Sequence, residues 1–161
     1  MPDQQMILTI SSKKRLEEEL KRLRYIERPH ITEDIKKARE YGDLSENFEY
    51  QAARRAQGIL NGRIAEIEAI LQRSKVIEDG LSSDVVQIGA TVVLRDTQVG
   101  DDELEEYMIV DETSANPDIN HISYTSPIGK ALMQRKKGDE VEVKLPNNAT
   151  IVFQITDLRY S

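Results

Sequence analysis

The sequence contains no cysteine and no tryptophan, and only 5% of its residues are aromatic. Without cysteine the chain forms neither disulfides nor thiolate metal sites, so a reducing compartment suits it. Charged residues, in contrast, make up 32% of the 161 residues. This balance favours long helices with a narrow apolar seam over a single large core. The length fits one domain or two small ones.

Long apolar runs are also missing. No stretch approaches the roughly 20 apolar residues that a membrane-spanning helix needs. The N-terminal segment MPDQQMILTI lacks both the basic start and the apolar centre of a signal peptide. We therefore expect a cytoplasmic protein with no membrane partner.

The net charge of −7 is unevenly distributed: residues 1–78 sum to +1 and residues 79–161 to −8. The acidic second half is poorly suited to nonspecific binding of nucleic acid. The first half keeps basic clusters, such as KKRLEEELKRLR at 13–24. These clusters leave room for local contact with phosphate.

The first half carries two runs with helical periodicity. From about residue 12 to 41, apolar residues recur at three- and four-residue spacing, at Leu16, Leu20, Leu23, Ile31, Ile35 and Ala38. Ser12 is a candidate N-cap, and its neighbour Ser11 competes for the role. Pro29 removes one backbone hydrogen bond, and we expect a bend within one long helix because the apolar spacing continues beyond it.

The second run, from about 44 to 76, places Ala53, Leu60, Ile64, Ile67 and Leu71 at coiled-coil positions. Two such helices joined by a short glycine turn fold back as an antiparallel hairpin with its tip at residues 42–46. About 30 residues at 1.5 Å each give an arm of about 40 Å. Because a hairpin satisfies its own seam, we expect a monomer when the protein is free.

The pattern changes after the GLSSD link at 80–84. Alternating apolar residues predict strands at 90–96, 104–111, 119–124, 139–145 and 149–158, and SPIGKALMQRKKGD predicts a short helix opened by proline. The predicted class is α+β: an antiparallel coiled-coil domain at 1–78 followed by an antiparallel β domain with one short helix at 79–161.

The stretch REYGDLSENFEY at 39–50 holds two acids, Asp43 and Glu46, at the predicted tip. Local chemistry favours a capping box, in which Asp43 is the N-cap of the second helix and Glu46 its third residue. An exposed tip on a rigid arm can also present functional groups. Two carboxylates are too few for Mg²⁺, which takes six oxygen ligands, so they would complete a site supplied mainly by a partner.

Together with a second segment near the C-terminus, this stretch resembles the Gre family of bacterial transcript cleavage factors. AREYGDLSENFEYQAA at 38–53 and SPIGKALMQRKKGDEV at 126–141 carry the resemblance, which extends over nearly the whole chain. It implies a coiled coil followed by a domain of the FKBP type. The acidic balance and Leu44 favour the branch of the family that has the smaller basic patch.

The resemblance further implies a partner, bacterial RNA polymerase. When the enzyme backtracks, the nascent RNA 3′ end extrudes through its secondary channel, and factors of this family insert their coiled coil there. Asp43 and Glu46 would then help to hold a second Mg²⁺ jointly with the polymerase, which hydrolyses the transcript. The factor would activate the reaction without being a nuclease itself.

Other site residues are expected around the tip and in the second domain. Ser45, Asn47, Tyr41 and Arg39 are candidates for contact with RNA. Packing of the hairpin end is favoured over stacking on nucleic acid for Tyr41 and Tyr50, and Arg39 could pair with Glu40 or Glu49. The resemblance implies polymerase docking through Ser126 and Pro127, with Thr125 beside them. Ser126 and Pro127 also suit the cap and first turn of the short helix.

Three other functions compete with this one. A related channel-binding factor that inhibits polymerase would have altered tip acids, whereas GDLSEN is intact here. A coiled-coil chaperone or scaffold would need no acids at the tip. A prolyl isomerase would need an aromatic-lined pocket, which two Phe and six Tyr in the whole chain do not favour.

Overall fold

The computed structural model describes residues 5–42, 46–80, 82–99 and 103–160. The chain divides into two compact units. One contains Lys13–Lys75, and the other contains Ile7–Ser12 together with the residues from Val76 onward. Residues 7–12 therefore pack with the C-terminal half of the chain.

The first unit contains most of one continuous helical run, whose first residues, 10–12, belong to the second unit. Helix α1 (Ile10–Arg22), a π-helical segment (Leu23–Glu27) and helix α2 (Arg28–Arg39) follow one another without a break. Pro29 lies in the first turn of α2. Proline has no N–H, and its ring crowds the carbonyl four residues before it. Immediately before it, the Arg28 N–H bonds to the Leu23 carbonyl, five residues back, so the chain passes Pro29 as one helix, as predicted.

The spacing of the buried residues gives a second reason for the π segment. Leu23 and Ile35 are both buried, and three steps of four residues separate them. In a regular α-helix each such step overshoots a full turn by about 40°, which would rotate Ile35 about 120° away from the face of Leu23. The π-helical turn contains an extra residue, and this offsets most of the rotation.

Helix α3 (Phe48–Arg73) runs back along this helical run. The link of residues 40–47 is too short for anything except an antiparallel pair, so the predicted hairpin is confirmed. The seam is apolar and buried, and it contains Leu16, Leu20, Leu23, Ile35, Ala38, Leu60, Ile64, Ile67 and Ile70. Ile70 is buried where the sequence indicated Leu71, which is only half-buried.

Polar contacts flank the hairpin seam. The Arg63 guanidinium donates two hydrogen bonds to the Glu19 carboxylate, at 3.0 and 2.9 Å, and Arg24 pairs with Glu68. The hydrogen bond from Arg63 holds the pKa of Glu19 below its ordinary value. In the described ranges, no helix combines the length and apolar content required to cross a membrane.

The start of α1 differs from the prediction. Ser12 was expected to be the N-cap, but α1 begins at Ile10, and the Ser12 N–H donates to Thr9 Oγ1 at 3.2 Å. Thr9 therefore caps the helix, and Ser12 lies buried in its first turn. Two short strands were also missed: β1 (Ile7–Thr9) pairs with β2 (Lys75–Ile77).

The second unit contains the main sheet, with strands β3 (Ala90–Asp96), β4 (Leu104–Val110), β5 (His121–Ser123), β6 (Glu140–Lys144) and β7 (Thr150–Tyr160). In the described residues the strand order is β5-β4-β3-β7-β6. Each strand coincides with a predicted segment. One pair departs from the expected antiparallel arrangement: β4 and β5 are parallel, because residues 111–120 carry the chain back through two 3₁₀ turns.

One face of this sheet holds the core of the second unit. Ala90, Val92 and Leu94 alternate on β3 and are each 0% exposed, as a strand with one buried face requires. Leu132 of helix α4 (Pro127–Leu132) is also completely buried. The predicted α+β class, with a helical hairpin before a β domain that contains a short helix, is confirmed.

A buried carboxylate lies beside the start of α1 in the same unit. Asp111 is 1% exposed and accepts hydrogen bonds from the Thr9 N–H at 3.2 Å and from the Thr113 hydroxyl at 2.6 Å. Burial raises the pKa of Asp111, but hydrogen bonds from Thr113, Ser12 and Thr9 outweigh it and hold the pKa below the ordinary value. Residues 7–12 are thus tied to the β domain by a charged acceptor.

Candidate functional site

The candidate site is the link between the two helices of the hairpin. Helix α2 ends at Arg39 and α3 begins at Phe48. Gly42, in the link, has φ +114°, a backbone conformation that favours glycine. Asp43 and Ser45 lie outside the described residues, and Glu46 and Asn47 complete the return into α3.

Asn47 joins the ends of the two helices. Its side-chain oxygen accepts a hydrogen bond from the Tyr50 N–H at 3.0 Å, which makes it the N-cap of α3. Its side-chain nitrogen donates to the Ala38 carbonyl at 2.6 Å, at the end of α2. The predicted capping box of Asp43 and Glu46 is therefore wrong, since α3 begins two residues after Glu46. A strong N-cap residue directly before the helix was the sequence signal for this role.

Glu46 is exposed. It precedes the N-cap, so its carboxylate is not needed to satisfy the first N–H groups of α3. Among the described residues no salt bridge involves it. The carboxylate at this position is therefore presented outward by a backbone that its neighbour holds in place.

The basic and aromatic residues of the tip have separate positions. The Arg39 guanidinium lies over the Tyr50 ring, 5.8 Å from its centroid, within the range of a cation–π contact. Tyr50 is half-buried, while Tyr41 is 73% exposed. Of the two tyrosines, Tyr41 is therefore the more accessible to a partner.

Among the residues that the structure describes, five line one open concave surface, which we call the tip surface: Tyr41, Glu46, Asn47, Phe48 and Glu49. Phe48 was not predicted as a site residue, yet it is 81% exposed. Its place at the first position of α3, where it has no helical turn before it to pack on, explains this exposure. Three of the predicted tip residues thus share a surface with two that the sequence did not single out.

The described residues hold no cluster of three or more His, Asp or Glu side chains that could bind a metal ion. The acidic run DDELEE occupies residues 101–106, and its residues 104–106 form the exposed start of β4. Nearby, burial raises the pKa of Tyr107 to about 12, and the Glu105 carboxylate, which accepts a hydrogen bond from the Tyr107 hydroxyl at 2.9 Å, raises it further.

The predicted docking residues lie at the start of α4. Ser126 is the N-cap: its hydroxyl accepts from the Gly129 N–H at 3.0 Å and donates to the Ser123 carbonyl at 2.7 Å. A Cβ on Gly129 would lie 2.0 Å from that carbonyl oxygen, so glycine is required for this close approach. Thr125 and Pro127 are exposed on either side, whereas the Ser126 hydroxyl is already engaged twice.

Two family models cover most of the chain. The model described as "Transcription elongation factor, N-terminal" matches residues 6–76. The model described as "Transcription elongation factor, GreA/GreB, C-term" matches residues 81–160. The first match spans the helical hairpin and the second spans the β domain.

Curated relatives align over nearly their whole length. The transcription elongation factor GreA of Trichlorobacter lovleyi is 46% identical over 154 residues, which cover 95% of this chain and 96% of that protein. GreA of Thermoanaerobacter pseudethanolicus is 46% identical over 155 residues, covering 96% and 97%. A crystal structure of GreA factor homolog 1 from Thermus thermophilus, 29% identical over 97% of this chain and 99% of that one, superposes with a TM-score of 0.44, too low to add to the sequence matches. By those matches the chain belongs to the GreA/GreB family of transcription elongation factors.

Proposed function

We propose that this protein is a transcription elongation factor that rescues backtracked, arrested RNA polymerase by stimulating the polymerase's own cleavage of the nascent RNA 3′ end. The family assignment and the names of the relatives support a role in elongation with RNA polymerase as the partner. In this proposal the hairpin enters the secondary channel, and the cytoplasm is the place of action.

The observation that carries the proposal is the position of Glu46. Its carboxylate is exposed and lies outside the capping interactions of α3, which Asn47 provides. A carboxylate that has no role in holding the turn is free to act on a partner. Asp43, three residues earlier, is proposed to act with it.

The donor set of the chain fits a shared Mg²⁺ site rather than a complete one. Carboxylate oxygens are ligands that Mg²⁺ prefers, and the ion needs six oxygens in total. With no cluster of three metal-ligating side chains in the described part of the chain, Glu46 and Asp43 are proposed to supply part of the shell, and the polymerase the rest. Bound there, the ion would polarise the phosphate and lower the pKa of an attacking water.

The second unit is proposed to dock on the rim of the channel through Thr125, Ser126 and Pro127. Because the Ser126 hydroxyl already holds the start of α4, its part is to fix the loop backbone. The exposed Thr125 and Pro127 would make the contact.

The test uses charge-removing substitutions in full-length protein added to stalled, backtracked polymerase complexes. We expect Glu46→Gln and Asp43→Asn each to reduce the rate of RNA cleavage by about 100-fold or more, a typical scale for lost transition-state electrostatics, without loss of polymerase binding. Glu40→Gln, which removes an exposed carboxylate at the end of α2, is the matched control and should cleave at the normal rate.

Three results would contradict the proposal. Normal cleavage by both Glu46→Gln and Asp43→Asn would remove the acids from the reaction. Cleavage of free RNA by the protein alone would make it a nuclease. Slower elongation without any cleavage by the unmodified protein would favour an inhibitor.

A further inference from the structure

Phe48 is the most exposed of the large apolar side chains in the described residues, at 81%, ahead of Ile59 at 75%. It does not stand alone, because Tyr41, 73% exposed, lines the same tip surface. Single exposed apolar residues are common on protein surfaces. Two aromatic rings beside a carboxylate at the end of a helical hairpin are a more specific arrangement.

The backbone under Phe48 is held on both sides. Asn47, directly before it, caps α3 and bonds to the Ala38 carbonyl at the end of α2. Tyr50, two residues later, lies against the Arg39 guanidinium. The backbone that carries the exposed ring is therefore held at Asn47, and little backbone entropy is lost there when the ring is covered.

The charges around the ring limit how an RNA strand could contact it: through a base rather than through the phosphate backbone. Glu46 and Glu49 line the tip surface, and Glu40 is exposed at the end of α2. These carboxylates repel the phosphates of a nucleic acid. A neutral aromatic ring instead offers a face for a nucleobase, and stacking of this kind tolerates any base.

We propose that Phe48, with Tyr41 beside it, stacks on an unpaired nucleobase of the extruded RNA 3′ segment and so positions the RNA beside the Glu46 carboxylate. This inference rests on the function proposed above, in which single-stranded RNA reaches the hairpin tip. Phe48 is a positioning residue: it holds the substrate and takes no part in proton or phosphoryl transfer.

The test separates an aromatic face from mere apolar bulk. Phe48→Leu keeps an apolar side chain without a ring, Phe48→Trp enlarges the ring, and Ile59→Ala is the control at an exposed apolar site on α3. We expect Phe48→Leu to reduce cleavage in backtracked complexes by about 5- to 100-fold, the loss that follows from one base–aromatic stack, and Phe48→Trp to retain it. A 4-thiouridine at the RNA 3′ end should crosslink to the tip in the unmodified protein and lose most of that crosslink in Phe48→Leu.

The outcomes are distinguishable. If the unmodified protein stimulates cleavage and Phe48→Leu matches it, the stacking inference is wrong while the proposed function stands. If Phe48→Leu and Phe48→Trp both lose polymerase binding to the same degree, the ring packs on protein, and the inference is again wrong. If the unmodified protein stimulates no cleavage at all, the proposed function itself fails. Melting temperatures within about 1 °C of the unmodified protein are expected for both variants, since the side chain is exposed.

Discussion

The amide side chain of Asn47 both caps α3 and binds the end of α2. An asparagine offers an acceptor and two donors in a fixed plane, and this one uses the acceptor for the Tyr50 N–H and a donor for the Ala38 carbonyl. One residue thereby satisfies both a backbone carbonyl at the end of α2 and a backbone N–H at the start of α3. Glu46 is relieved of capping as a consequence, which is why its carboxylate is available.

The stability of Asn47 variants should depend on how many of its two hydrogen bonds each variant keeps. Asn47→Ala loses both hydrogen bonds, and we expect it to lower the free energy of unfolding by about 2 kcal/mol. Asn47→Asp keeps the N-cap acceptor but places a carboxylate against the Ala38 carbonyl, so it should fall between alanine and the natural residue. Urea denaturation followed by circular dichroism measures the order; equal stability of the alanine variant would contradict the bridging role.

At the scale of the element, the π segment lets one sequence meet two demands. Pro29 has no N–H and cannot make the hydrogen bond to the carbonyl four residues before it. The hairpin seam requires Leu23 and Ile35 on the same face of the helical run. A regular α-helix meets neither, whereas a turn with one extra residue meets both. The segment carries exposed Tyr25 and Ile26 on its outer side, so the extra residue disturbs no packing.

Removal of that extra residue gives a direct test. In a Pro29→Ala chain, deletion of Ile26 places Ile35 eleven positions after Leu23 instead of twelve, close to three full α-helical turns. We expect the deletion to change stability by about 1 kcal/mol or less, because the seam stays in phase and Ile26 is 65% exposed.

The matched control deletes Ile59, which is 75% exposed but lies in regular α-helix. That deletion rotates one half of α3 by about 100° against the other and should cost about 2 kcal/mol or more by unpacking the seam. Thermal denaturation of both variants provides the comparison. Equal losses would show that the seam does not depend on the π segment.

At the scale of the molecule, charge links stability to pH. Residues 79–161 have a net charge of −8, whereas residues 1–78 sum to +1, and the second half includes two acids whose pKa values are lowered. The Ser11 hydroxyl, at 2.6 Å, lowers the pKa of Asp79, and hydrogen bonds lower that of the buried Asp111. Through these hydrogen bonds, Asp79 and Asp111 hold residues 9–12 to the β domain.

These shifts predict acid sensitivity. A carboxylate with a lowered folded-state pKa stabilises the protein fully above its unfolded pKa, here near 3.8, and the stabilisation is lost as pH falls through the folded value. We expect Asp111→Asn to lower the free energy of unfolding at pH 7 by about 2 kcal/mol and to flatten its decline below pH 4. The exposed Asp118→Asn is the control and should change neither. Urea titrations at several pH values measure both effects, and an unchanged acid profile in Asp111→Asn would contradict them.

Much of the architecture was predictable from periodicity. Three- and four-residue spacing identified the hairpin, and alternation identified β3 and the other strands of the main sheet, because a buried face imposes its period on the sequence. The short strand β1 could not be predicted in this way, since three residues are too few to show a period. The parallel pairing of β5 was also unpredictable from alternation, because strand direction depends on the path of the connection. The sequence placed Glu46, Tyr41 and Asn47 at the tip, where they line one surface; it did not single out Phe48, and the roles of these residues stay predictions.

The sequence by itself determined the two kinds of local structure, the place of the turn and the family, because these depend on residue type and spacing along the chain. Only the tertiary structure decided which residues at the turn hold it and which remain exposed. Asn47 bonds to a carbonyl nine residues earlier, and the position of α2 relative to α3 makes that bond possible. The hairpin thereby adds a second hydrogen bond to the residue that caps α3, while Glu46 and Phe48 remain exposed beside it.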